Sequence, residues 1–150
     1  MGERYAFVMM IRDRWWRAFL GNLHRGKQMH SYVRGGAAPP KSTSLIFFYV
    51  TKPVAEVSGY AEFVERKVGD AEELWKKYGD ESVLSSEEEY LDLVKGKRQV
   101  SFIRFRSLQK AAEPVGLNNF LTFLGVDRLA RAGFYISKEV AEKLIQLMES

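Results

Sequence analysis

Hydrophobic and polar positions along the chain follow two periods, which predict strands and helices. The most distinctive stretch begins with Leu45–Val50, an uninterrupted run of aromatic and aliphatic residues that is typical of a strand buried on both faces. After a turn at Pro53, apolar and polar side chains alternate over residues 54–67, which predicts a second strand. Gly59 lies inside this strand, where glycine usually marks a bulge or a bend. A buried strand, a short turn and a bent strand indicate the corner of a small barrel.

Shorter patterns predict the remaining elements. Apolar runs or period-2 alternation predict further strands at residues 5–11, 27–34, 98–106 and 132–136. Helical spacing and capping residues predict helices at residues 12–23, 70–78, 85–95 and 137–149. We expect irregular connections at residues 35–44 and 107–119, whereas residues 118–124 fit a helical turn or a strand equally well. The prediction is a single α+β domain over residues 1–150.

The first predicted helix carries several residues suited to binding. Asp13 is predicted to cap it, and Trp16 belongs to its apolar stripe. Trp15 points about 100° away from Trp16 on a helix, which makes it the better candidate for stacking on a nucleobase, although it could instead cover a hydrophobic edge. Three basic residues fall largely outside the apolar stripe and are candidates for phosphate contacts: Arg12, Arg14 and Arg17.

The formal net charge of +4 conceals an uneven distribution. Residues 1–44 carry +6, residues 45–92 carry −7 and residues 93–150 carry +5. Basic ends joined by an acidic middle can fold into one basic and one acidic face, and a basic face attracts polyanions. The alternative is that the segments neutralise each other through surface ion pairs, which contribute little to stability.

Further candidates for nucleic-acid binding lie on two predicted strands and one loop. Arg104 and Arg106 share the outer face of the strand at residues 98–106, but they could instead pair with the acidic middle segment. Lys41 lies in a loop rich in glycine and proline that borders the basic segment. The remaining candidates belong to the strand at residues 27–34: Lys27, Tyr32 and Arg34.

The composition argues against several kinds of site. The absence of cysteine excludes disulfides and thiolate metal sites, and the only two histidines, His24 and His30, are interpreted as structural. No Ser–His–Asp arrangement or phosphate-binding glycine loop is recognisable. We therefore expect no metal and no cofactor. No apolar stretch approaches the ~18 residues that a membrane span needs, so we expect a cytoplasmic protein, and scarce Asn and Gln favour a thermophilic source.

The order of elements resembles the PUA-like barrel superfamily, which includes the PUA, ASCH, EVE and YTH domains. The likeness is carried by Gly26-Lys27 leading into Tyr32-Val33-Arg34, by residues 45–63 and by residues 133–145. It covers most of the chain and is strongest to an uncharacterised archaeal family. The resemblance implies a small mixed pseudo-β-barrel with flanking helices, a fold that commonly binds RNA or a modified base.

The resemblance to ASCH domains is incomplete at their signature, Gly-x-Lys-x-x-Glu-x-Arg. This chain has Gly26, Lys27 and Arg34, with altered spacing and no intervening glutamate. Some ASCH-like proteins are ribonucleases or hydrolases of modified cytidine, and the hydrolases use a lysine, a threonine and a glutamate. Thr51 and Lys52 are catalytic candidates only by that analogy. EVE and YTH domains hold a modified base in an aromatic cage, whose walls here would come from Trp15, Trp16, Tyr32 and Tyr60.

We therefore predict a module that binds RNA or a modified base. A basic surface would hold phosphates while aromatic residues stack on one exposed base. A hydrolase or nuclease that acts on a modified nucleoside or RNA is the alternative by family analogy. A protein–protein adaptor that uses the acidic residues 72–92 is a third hypothesis. Binding is expected rather than catalysis, and RNA rather than DNA, while the oligomeric state is left open.

Overall fold

A computed structural model describes residues 4–149, which form one mixed six-stranded sheet flanked by helices. The strands are β1 (Ala6–Ile11), β2 (Met29–Gly35), β3 (Leu45–Val50), β4 (Glu56–Gly69), β5 (Val100–Gly116) and β6 (Phe134–Ile136). The helices are α1 (Asp13–His24), α2 (Ala71–Tyr78), α3 (Glu87–Leu93), α4 (Leu117–Leu124) and α5 (Lys138–Glu149), with a 3-10 turn at Gly79–Glu81. Within residues 4–149, no helix is long and apolar enough to cross a membrane.

The strands are arranged in the order β2-β5-β4-β3-β1-β6. All neighbours are antiparallel except β1 and β3, which run parallel in a continuous register from Ala6 opposite Leu45 to Ile11 opposite Val50. Parallel pairing is possible because α1 and β2 lie between these strands in the sequence and supply the long connection that it requires. The carboxyl ends of β1 and β3 therefore lie next to each other at the same end of the sheet.

Both faces of β3 are buried, as its apolar run predicts. Ile46 and Phe48 belong to one cluster with Trp16 and Phe19 of α1, while Phe47 belongs to the cluster that α4 and α5 cover on the opposite face. A third cluster joins α2 and α3 to the sheet, with Tyr90 fully buried. Helices therefore cover both faces of the sheet, and the expected α+β class is confirmed.

The bend predicted at Gly59 is confirmed by the pairing of β3 with β4. Phe48 lies opposite Gly59, but its neighbour Tyr49 lies opposite Val57, so Ser58 has no opposing residue. One extra residue on one strand is the definition of a β-bulge, which bends the strand and increases its twist. The bulge lies where β4 curves around the core.

Residues 107–116 depart from the predicted irregular connection and instead continue β5. The prediction failed because Pro114, Gly116 and a run of polar residues conceal the strand. Pairing with β4 is interrupted between Lys110 and Val115, so Pro114 lies in a bulged section where the sheet does not need its missing N–H. Residues 118–124, for which two conformations were open, form helix α4.

The predicted cap of α1 is also wrong. The N-cap is Arg12, whose side chain makes no capping hydrogen bond, and Asp13 is the first helical residue. The Asp13 carboxylate accepts instead from the Arg17 guanidinium one turn later, at 2.9 Å between Nε and Oδ2. Other caps follow the prediction: Asp70 accepts from the backbone N–H groups of Glu72 and Glu73 at the start of α2.

Candidate functional site

A cleft of about 540 Å³ opens at the sheet edge where β1 and β3 end. It lies between β1 and β2, which are not paired with each other within residues 4–149: β2 is the edge strand beside β5, and β6 pairs with β1 at Ala6–Val8. The cleft thus lies where the barrel-like sheet does not close. The edges of β1 and β2 that face it are not paired with another strand of residues 4–149. Its lining comes from the end of β1, the start of α1, residues 31–35 of β2, Thr51, residues 82–84, Leu93 and Lys97.

Within residues 4–149, all charged side chains that line the cleft are basic. Arg14 pairs with Glu89, at 3.6 Å between Nη2 and Oε2, and both side chains are partly exposed. Among residues 4–149, the other basic groups of the lining form no ion pair, and no carboxylate lines the cleft. The resulting excess of positive charge favours an anionic ligand. The four basic residues are Arg12, Arg14, Arg34 and Lys97.

The amino terminus of α1 opens onto the same cleft. Trp15 and Trp16 donate their backbone N–H groups to the carbonyl oxygen of Arg12, at 3.1 and 3.0 Å. No side chain caps the end of the helix, because the N-cap residue is Arg12, whose guanidinium has no acceptor atom. The first N–H groups of α1 therefore add a partial positive charge to that of the arginines.

Two aromatic side chains line the cleft, each beside an arginine. The Arg14 guanidinium lies 4.2 Å from the centre of the Trp15 ring, and that of Arg34 lies 5.5 Å from the centre of the Tyr32 ring. Burial raises the pKa of the Tyr32 hydroxyl, although the charges of Arg34 and Arg12 oppose this shift. The hydroxyl thus stays protonated at neutral pH and can both donate and accept a hydrogen bond.

A buried polar network supports the wall opposite α1. Ser31, which lines the cleft, donates its hydroxyl to the Glu81 carboxylate at 2.8 Å. Arg104 donates to both oxygens of Glu81, each at 2.8 Å, and a further guanidinium nitrogen donates to Glu65. Burial alone would raise the pKa of Glu81, but hydrogen bonds from Arg104 and Ser31 and the positive charge of Arg104 lower it overall. A charged Glu81 thus ties β2 and β5 to the 3-10 turn and fixes residues 82–84 at the cleft.

The structure brings half of the predicted site residues together and separates the rest. Outside the cleft, Arg17 pairs with Asp13, and Lys27 donates to the backbone oxygen of Asp80. Lys41 is exposed in the loop before β3, where its backbone N–H lies 3.4 Å from the Tyr135 hydroxyl. Five of the predicted residues line the cleft: Arg12, Arg14, Trp15, Tyr32 and Arg34.

Arg104 and Arg106 do not line the cleft and instead pair with the acidic middle segment, which was the alternative interpretation of both residues. The register of β4 with β5 places Glu65 opposite Arg104 and Glu62 opposite Arg106. Cross-strand neighbours of opposite charge interact directly, and Arg106 donates to Glu62 at 2.8 Å. The basic residues from the two ends of the chain therefore meet only in part. Those at the start of α1 and Lys97 line the cleft, whereas Arg104 and Arg106 of β5 are paired with carboxylates.

Several cleft residues were not among the predicted site residues. Lys97 is not among the candidates named from the sequence, and Thr51 is a catalytic candidate only by family analogy, yet both line the cleft. The Thr51 backbone N–H donates to the Ile11 carbonyl oxygen at 2.9 Å, which holds the residue beside the start of α1. In the part of the chain that the structure describes, no three His, Asp or Glu side chains form a metal-binding group.

No protein-family model matches the chain. A curated relative, an ASCH domain-containing ribonuclease from Zymomonas mobilis, is 28% identical over 132 residues, which are 88% of this chain and 87% of that protein. The crystal structure of a serine-to-alanine variant of ASCH from Zymomonas mobilis covers 99% of this chain and 100% of its own, with a TM-score of 0.81 and 26% identity. A second crystal structure of that ASCH protein matches with a TM-score of 0.77 and 24% identity, and the match covers 98% of each chain. Likeness in sequence and fold over nearly the whole length confirms the resemblance of this chain to ASCH-type domains and, with it, the predicted PUA-like pseudo-barrel.

Proposed function

We propose that the chain binds single-stranded RNA through the cleft between β1 and β2. The observation that carries this proposal is the meeting of four basic and two aromatic side chains around one cleft that no carboxylate lines among residues 4–149. Nucleic acids combine the two groups that such a site suits, an anionic phosphate and a flat base. The name of the relative from Zymomonas mobilis, a ribonuclease, favours RNA over DNA.

Each part of the nucleotide has a matching group in the proposed complex. Arg12, Arg34 and the uncapped end of α1 hold a phosphate. Trp15 stacks on the base, an interaction worth ~1–3 kcal/mol per base. The Tyr32 hydroxyl and the unpaired strand edges offer hydrogen bonds to the edge of the base. A narrow seam between strands admits an unstacked base from a single strand more readily than a duplex.

Binding is tested by fluorescence anisotropy with a labelled, unstructured single-stranded RNA at several salt concentrations. We expect affinity at low salt that declines as salt rises, with a slope of roughly −0.7 per phosphate contact. The double variant Arg12→Ala/Arg34→Ala should bind more weakly and show a shallower slope. Arg128→Ala/Arg131→Ala is the charge-matched control, because both residues are exposed and neither lines the cleft. Wild-type protein that binds no RNA at low salt, or equal affinity of both variants, would contradict the proposal.

Ribonuclease activity is the second candidate, favoured by the name of the relative and by the hydroxyl groups of Ser31 and Thr51 in the cleft. No carboxylate or histidine among residues 4–149 lines the cleft to act as a general base, so we place binding first. The two candidate functions are distinguished by incubating the same RNA with wild type or with Thr51→Val and analysing it by denaturing gel electrophoresis. Cleavage by wild type that Thr51→Val abolishes would favour the nuclease, and intact RNA in both would favour binding alone.

A further inference from the structure

A second, open depression lies beside the cleft and shares one side chain with it. Its lining consists of Gly36, Lys97, Arg98 and Gln99, and Lys97 also lines the cleft. The two surfaces are thus contiguous at Lys97. No acidic residue contributes to the lining of the depression within residues 4–149.

The depression is bordered by a basic ridge, residues 95–98, which connects α3 to β5. A turn forms the ridge, in which the Lys97 backbone N–H donates to the Val94 carbonyl oxygen at 3.0 Å. Lys95, Lys97 and Arg98 are exposed, and none of them forms an ion pair with another residue between 4 and 149. Three like charges on four consecutive residues repel each other unless an anion lies between them. The ridge therefore has the charge that a phosphodiester chain would neutralise.

Gly35 at the end of β2 allows Lys97 to lie close to this strand, between the cleft and the rest of the ridge. A methyl group on Gly35 would lie 3.0 Å from both Cγ and Cε of Lys97, so the aliphatic stem of Lys97 lies across this glycine. The Gly36 N–H donates to the Gln99 carbonyl oxygen at 2.8 Å and holds the two segments together. Lys97 is thus positioned to serve both surfaces at once.

We infer that the ligand is an RNA strand of several nucleotides, which leaves the cleft along Lys97 and places its next phosphates on the ridge. This inference rests on the proposed RNA binding and adds the direction of the strand. A free nucleotide or nucleoside would occupy the cleft alone and would leave Lys95 and Arg98 without a ligand. Each additional phosphate on the ridge releases counterions and so adds affinity that salt weakens.

The test compares a nucleoside 5′-monophosphate with single-stranded RNAs of increasing length. Wild-type protein should bind the longer RNAs more tightly. Lys95→Ala/Arg98→Ala should lower the affinity for the longer RNAs about tenfold and make the salt slope shallower by roughly 0.7 per lost contact, with the affinity for the monophosphate unchanged. Gly35→Ala should also weaken binding of the longer RNAs, because it displaces Lys97 without removing a charge. Arg128→Ala/Arg131→Ala again serves as the charge-matched control, and thermal melting verifies that every variant is folded.

The outcomes distinguish this inference from the proposed function. If wild type binds RNA and Lys95→Ala/Arg98→Ala binds RNA of every length with the same affinity as wild type, the ridge is not a contact surface. RNA binding by the cleft then still stands. If that variant loses affinity for the monophosphate and for long RNA by the same factor, the ridge acts only through its general charge and the inference is wrong. If wild type binds neither ligand at low salt, both proposals fail together.

Discussion

Gly59 of β4 lies directly against the indole of Trp16. A methyl group on Gly59 would come within 2.6 Å of Cη2 of Trp16 and within 2.3 Å of the Gln109 carbonyl oxygen on β5. The glycine therefore allows both α1 and β5 to approach β4 closely. Because Trp16 is packed there, the preceding residue on the helix, Trp15, is turned to the cleft. The bulge of β4 and the aromatic wall of the candidate site are thus one packing arrangement.

Replacing Gly59 with alanine should destabilise the fold. The added methyl group meets backbone as well as a buried ring, so the strands must separate, and overpacking of this kind typically costs about 1–3 kcal/mol of the free energy of unfolding. Urea denaturation of Gly59→Ala measures the loss. Gly69→Ala is the matched control on the same strand, because a methyl group there would meet Leu74 at 3.9 Å, an ordinary van der Waals distance. Equal stability of the two variants would mean that the close approach at Gly59 is not needed.

Local pattern predicted the residues of α1 and β2 in the cleft, because a helix or strand period decides which face a side chain occupies. Trp15 and Trp16 separate as the helical period requires, and Gly59 marks the bulge as strand glycines do. Tyr32 and Arg34 were identified from the same local evidence and do lie at the cleft. The confirmed resemblance to ASCH-type domains supplied the overall architecture in addition.

The positions of the other charged residues depend on long-range packing, which no local pattern encodes. The pairing of Arg104 with Glu65 and Glu81 follows from the register of β4 with β5, and that register shifts at several irregularities. Lys97 reaches the cleft only because the turn after α3 folds back over Gly35. Neither arrangement leaves a trace in the spacing of hydrophobic residues.

The two adjacent tryptophans should respond to mutation in opposite ways. Trp16 is 4% exposed and packs against Phe48 at 5.3 Å between ring centres, so Trp16→Ala should lower the free energy of unfolding by about 3–5 kcal/mol. Trp15 is only partly buried against the same cluster, so Trp15→Ala should cost less stability than Trp16→Ala but should weaken RNA binding by ~1–3 kcal/mol if the ring stacks on a base. Urea denaturation and anisotropy titrations of both variants measure these effects. Unchanged RNA affinity in Trp15→Ala would mean that the Trp15 ring does not stack on a base and only covers the wall of the cleft.

Arg104 and Arg106 should contribute unequally to stability, and neither should contact the phosphates of RNA. The Arg104 side chain is 17% exposed, and its removal leaves Glu81 without its main partner, so Arg104→Ala should cost about 1.5–3 kcal/mol for each charged hydrogen bond lost without replacement. Arg106→Ala removes an exposed pair with Glu62 and should cost at most about 1 kcal/mol. Urea denaturation tests both values. A shallower salt dependence of RNA binding in either variant would show that the arginine contacts phosphate after all.

His30 should make the fold sensitive to mild acid. It is fully buried between the rings of Phe19 and Phe105, and within residues 4–149 neither of its ring nitrogens has a hydrogen-bond partner. Burial lowers the pKa of His30, the charge of Lys27 lowers it further, and Glu81 opposes the shift. The neutral imidazole is therefore the form that the folded protein favours.

The direction of the pH dependence follows from proton binding in the two states. The unfolded chain protonates His30 near pH 6.5, whereas the folded protein does so only at lower pH, so below about pH 6.5 the unfolded state binds more protons and the free energy of unfolding falls. Glu81, whose pKa is also lowered, acts in the same direction but only around and below its ordinary value of 4.5. In urea denaturation between pH 8 and pH 5, the free energy of unfolding of wild type should decrease as the pH falls. His30→Phe, which keeps the ring stacking, should show a flatter pH profile. His24→Gln, at an exposed position, should retain the wild-type slope. Identical slopes in wild type and His30→Phe would mean that protonation of the buried imidazole does not limit stability in this range.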